Sequence, residues 1–106
     1  SSGDEINEYN LSTAWDVTTA SYVQNFDVKP KDTSPDDLFF KPDGLKVYII
    51  GSSSDSVHQY NLTTAWDIST ASFNQSFSIS TQETNPTGLF FKDDGTILMS
   101  VHKQQP

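Results

Sequence analysis

The chain carries one motif twice, at constant spacing. Residues 9–16, Tyr-Asn-Leu-Ser-Thr-Ala-Trp-Asp, return at 60–67 with only Ser12 changed, to Thr63. Residues 38–44, Leu-Phe-Phe-Lys-Pro-Asp-Gly, return at 89–95 with only Pro42 changed, to Asp93. Setting residues 1–51 against 52–102 gives 23 identities in 51 pairs without a gap. A repeat of this length is one supersecondary unit whose apolar surface needs a neighbouring unit. The chain divides into repeat 1 (1–51), repeat 2 (52–102) and a short tail (103–106).

Each repeat reads as four short antiparallel strands, A to D. Residues 38–41 are apolar and end at Asp43-Gly44, a hairpin signal because glycine accepts positive φ. Residues 46–50 form the partner strand, and 51–55 are turn-forming. Residues 56–62 alternate, with Val57 and Gln59 on one face and His58 and Tyr60 on the other. Residues 72–79 form the fourth strand, placing Phe73, Gln75, Phe77 and Ile79 on one face. Asp36 and Asp37 fall before strand A. Between the third and fourth strands, residues 63–71 hold a compact turn through Thr, Ser and Asp side chains.

Thirteen residues are aromatic and twelve of them are matched between repeats. Tyr9, Tyr60, Trp15, Trp66, Phe39, Phe90, Phe40 and Phe91 are the expected packing residues between units, with the tryptophans as buried plugs between sheets.

Four antiparallel strands per 51 residues, followed by a crossover, describe a β-propeller blade. The segments at 9–16 and 38–44, with their copies, and the segment at 47–53 resemble blades of bacterial and phage-encoded propellers over nearly the whole chain; the second copy departs from the pattern at 97–102, which replaces the 46–51 run. That resemblance implies architecture and not activity, because propellers host unrelated functions.

The strand order along the chain is C, D, A, B, C, D, A, B. Two blades cannot close a ring, and half-blades leave open sheet edges. Strands A and B of one copy can complete C and D of another, giving heterologous, ring-forming contacts. The expected assembly is a homo-oligomer closed by strand exchange, a six-bladed trimer first and a tetramer next. The alternative is an excised piece of a longer propeller from a phage or secreted protein, with a purely structural role.

Chemistry-bearing motifs are sparse. His58 and His102 are the only histidines, Cys is absent, and Ser52-Ser53-Ser54 lacks nucleophile-elbow spacing. The expectation is a non-catalytic scaffold; a metal-dependent propeller hydrolase or lactonase is the enzymatic alternative. No cofactor is expected. Ca²⁺ would need repeated carboxylates such as Asp4/Asp55, Asp16/Asp67 or Asp43/Asp94, which turn formation explains. Loop residues Asp4, Asp36, Asp37, Ser52, Ser53, Asp55 and Thr87 are the candidate contacts to a glycan or protein ligand. Asn10, Asn61 and Asn74 open glycosylation-type triplets, the first two at a strand-to-turn junction. The net charge of −8, with no arginine, opposes nucleic acid and anionic membrane as partners. It suits an extracellular or virion-associated setting.

Overall fold

The computed structural model describes residues 4–102. Its strands are β1 (Glu5–Leu11), β2 (Ala20–Asp27), β3 (Pro35–Phe40), β4 (Lys46–Gly51), β5 (Ser56–Leu62), β6 (Ala71–Ser78), β7 (Pro86–Phe91) and β8 (Leu98–His102). Short 3₁₀ turns lie at Val17–Thr19 and Ile68–Thr70. The chain is all-β. The strands form three separate antiparallel sheets, β1-β2, β3-β4-β5-β6 and β7-β8, in the two, four, two order read from the repeat. The three sheets do not close on one another.

The repeat is preserved in local geometry. The β1–β2 register shifts at Glu8/Tyr9 and the β5–β6 register shifts at Gln59/Tyr60, 51 residues later. Each Asp-Gly hairpin is built alike. The Gly44 N–H donates to the Lys41 carbonyl at 2.8 Å, and Gly95 donates to Lys92 at 2.8 Å. Both glycines have positive φ, 75° and 77°, a conformation that costs other residues free energy.

The four-stranded sheet is apolar on both faces. Val47, Ile49, Tyr60, Leu62 and Ile68 form one cluster with Ile6 and Val28, flanked by Phe26 and Phe40. Ile50 and Val57 form a second cluster with Leu89, flanked by Phe39, Tyr48 and Phe91. The continuous run Val47–Ile50 is thus a strand covered on both sides, since successive side chains point to opposite faces. Across the second boundary, Phe39 meets Phe90 and Phe91 at centroid distances of 5.5 and 5.3 Å.

Three expectations need correction. Asp36 and Asp37 lie inside β3, which begins at Pro35, not in the connector before it. Phe73 does not share a face with Gln75 and Phe77. Gln75 pairs with Gln59 while Phe73 pairs with Tyr60, so the bulge at Asn74 turns Phe73 to the Tyr60 side. The tryptophans are not buried plugs between sheets. Trp66 stacks on Phe40 of its own sheet at 4.9 Å and is half-exposed, and Trp15 is 97% exposed. The tail at 103–106 lies outside the described residues.

Ile49→Ala removes a side chain packed at the centre of the first cluster and should destabilise the fold by about 2–5 kcal/mol. Phe90→Ala, at an exposed position, should cost much less. Urea unfolding of the two variants checks the contrast.

Candidate functional site

The most connected polar group of the interior is Asp32. It lies in the connector from β2 to β3, where the N–H groups of Lys31 and Asp32 both bond the Val28 carbonyl at 3.0 Å. This tight turn aims the carboxylate at the β4–β5 turn. Asp32 Oδ1 accepts from the Ser53 hydroxyl and from the Ser34 N–H at 2.8 Å, and Oδ2 accepts from the Ser54 hydroxyl at 2.5 Å. The group is only 2% exposed. Gly51 makes room for it, because a Cβ there would overlap the Asp32 carboxyl.

His58 extends the network. Its Nε2 is 2.9 Å from Ser54 Oγ and 3.4 Å from Asp32 Oδ2, and its Nδ1 is 2.7 Å from Ser76 Oγ. With the Ser54 proton committed to Asp32, Nε2–H donates to Ser54 Oγ and Nδ1 accepts from Ser76, the tautomer these partners select.

Burial opposes ionisation of Asp32. The bonds from Ser53, Ser54, Ser34 and His58 together outweigh it and hold the carboxyl down to about 2, from an ordinary 3.8. On the same face, burial pushes the Tyr60 phenol up to about 12, with Asp27 and Asp32 adding to the shift.

The order serine, histidine, aspartate resembles a nucleophile, base and orienting acid, so its surroundings decide its role. Asp32, Ser54 and His58 line none of four well-formed clefts of the structure. The cleft that includes Ser76 also has Val57, Gln59 and Phe77, on the face of the sheet opposite His58. The network satisfies buried polar groups and ties the connector to the turn.

Of the residues expected to contact a ligand, Asp36 and Asp37 line one cleft together and the others take part in local bonding. Ser53 is part of the Asp32 network. Ser52 donates its N–H to the Ser34 carbonyl at 3.1 Å. Asp37 Oδ2 accepts the Leu89 N–H at 3.1 Å, bridging two sheets. Asp4 and Asp55 occupy matching turns, where their carbonyls accept the Val28 and Ile79 N–H groups at 2.9 and 2.8 Å. The Thr87 hydroxyl reaches the Val101 carbonyl at 3.4 Å. Asp36 is exposed beside a cleft of about 250 Å³ that it shares with Glu5, Asp37 and Leu38. No group of three or more His, Asp or Glu capable of holding a metal ion occurs among the described residues.

A second cleft, of about 260 Å³, opens between the last two sheets. Phe39, Tyr48 and Phe91 line it with Lys41, Lys46, Lys92 and the hairpin Asp93-Asp94-Gly95. Lys41 and Lys92 pair with the aspartates of their own hairpins, at 3.0 and 3.3 Å. Sequence reasoning singled out neither this cleft nor Asp32. The available signal was an acidic residue followed by threonine in both connectors, Asp32-Thr33 and Glu83-Thr84, amid differences at most other positions.

No protein-family model, curated protein or solved structure matches the chain.

Asp32→Asn should destabilise the fold by about 1–3 kcal/mol at neutral pH, through mismatched buried hydrogen bonds. The lowered folded-state value makes the Asp32 contribution complete above the unfolded value of 3.8 and lost as pH falls toward about 2. The shift corresponds to about 2 kcal/mol. The stability gap between wild type and variant should therefore narrow between pH 4 and pH 2, as measured by urea unfolding across that range.

Proposed function

We propose that the chain is a non-catalytic repeat scaffold of the β-propeller type that completes itself by association with further copies of the same chain. One observation carries this reading. Positions buried where a repeat has neighbours are exposed where it has none. Ile68 is 2% exposed and its copy Val17 78%; Ile50 is fully buried and its copy Val101 59% exposed; Tyr60 is 3% exposed and Tyr9 53%. The chain thus contains both halves of a boundary that it also contains assembled. The open edges of β1 and β8 correspond by the repeat to the paired edges of β5 and β4.

Association through these edges forms a four-stranded sheet from β7-β8 of one copy and β1-β2 of the next. Each contact is heterologous, so closure gives a ring. Three copies supply six four-stranded units, within the range propellers adopt. The polar network, whose Asp32 and His58 are buried and bonded to neighbouring serines, supports a scaffold over an enzyme.

Light scattering on the 106-residue chain over a range of concentrations tests the reading. A stable mass of about 35 kDa, three times 11.8 kDa, is expected for the six-unit ring. A folded chain that stays at 11.8 kDa throughout overturns it.

A further inference from the structure

We infer that the Trp15 indole is the anchor of the contact between copies, and that its receptor is the Gly95 hairpin and the Phe91 ring of a second copy. The inference rests on the assembly proposed above and specifies its contact. The template lies within the chain. The Trp66 N–H donates to the Gly44 carbonyl at 2.9 Å, and the indole lies over Gly44, where a Cβ would come within 2.5 Å of the ring. The same indole stacks on Phe40. All three residues recur 51 positions away, Trp66 as Trp15, Gly44 as Gly95 and Phe40 as Phe91, but the copies are not in contact as a set. Trp15 is almost wholly exposed, and no atom lies within 4 Å of the Cβ position at Gly95.

Both halves are already shaped for the contact. Trp15 has φ 69° against 65° for Trp66, and Gly95 has φ 77° against 75° for Gly44. The Trp15 loop is held by the Asp16 carboxylate, which accepts the Thr18 N–H at 3.0 Å, as Asp67 accepts Ser69 at 3.1 Å. Gly95 and Phe91 line the 260 Å³ cleft, so the receptor is open at the surface. Preformed surfaces lose little conformational freedom on docking.

Charge selects the partner edge. β1 carries Glu5 and Glu8, and β8 carries no carboxylate. A β1 edge repels another β1 and accepts β8. The β4–β5 register, moved by 51 residues, sets Ser100 opposite Asn7 and Leu98 opposite Tyr9.

In Trp66→Phe, Trp15 is the sole indole. Its emission and acrylamide quenching are read on the same dilution series as the mass. Emission should shift to the blue and quenching should fall as mass rises above 11.8 kDa. Trp15→Ala should keep the circular dichroism of the fold and lose the oligomer. As a check that alters no indole, the Asn7→Cys/Ser100→Cys chain, in a protein with no native cysteine, should form disulfides between copies. Association with a solvent-like Trp15 overturns the anchor and leaves the assembly standing; association without that disulfide overturns the β1–β8 pairing on which both rest. A folded chain that remains at 11.8 kDa overturns both.

Discussion

A four-stranded sheet with two apolar faces is the constraint on which the structure depends. β4 has no solvent side: Val47 and Ile49 enter one cluster, while Ile50 enters the other and Tyr48 packs against it. Such a sheet is stable only between neighbours, because either open face would leave several large apolar groups in water. The middle sheet has a half-sheet on each side. The half-sheets themselves, each made from the same repeat, have company on one side only. The exposed Val17, Phe90, Met99 and Val101 follow from position in the array, not from a change in the character of the sequence.

Polar groups determine how closely the sheets are tied along the chain. Asp32 links a connector to the turn of the sheet that follows, through Ser53 and Ser54, and His58 carries the chain of bonds to Ser76 in the edge strand β6. Asp37 performs a second tie, from β3 to the backbone of β7. In each carboxylate both oxygens find N–H or O–H donors, and at Asp32 that makes a buried charge tolerable. This accounts for a serine, histidine and aspartate cluster that is fully engaged in bonding within the fold.

Most of the fold was legible in the sequence. The 51-residue period, the Asp-Gly hairpins and the apolar runs locate all eight strands, because period-two patterning and glycine conformation are local properties. What stayed hidden depends on tertiary context. The bulge at Asn74 moves Phe73 to the Tyr60 face, and alternation alone counts through such an insertion without registering it. Trp15 and Trp66 stand in nearly identical octapeptides yet differ in exposure, since a tryptophan is covered only by whatever hairpin lies opposite it. Asp32 was illegible because its side-chain partners come from 21 to 26 residues further on, and only one copy has them all: His58 is replaced by Asn7 and Ser54 by Gly3.

The same differences between copies rank the boundaries. The assembled boundary between the second and third sheets has the Asp37 bridge, but the copy of Asp37 is Gly88, which has no carboxylate to offer a further sheet. Within the middle sheet, Lys46 bonds Asn61 at 2.8 Å, whereas the copy of Lys46 is Ile97. The proposed contact through β8 therefore relies on apolar burial and the indole seat, without the polar ties that secure the interior. Hydrophobic contact lacking charge-assisted bonds is less directional, so register there falls to the two strand edges and to the fit of an indole over a glycine. The repeat divides the work accordingly. Substitutions that add polar ties occur where the boundary is built into one chain, and the tryptophan, hairpin glycine and stacking phenylalanine are kept in both copies.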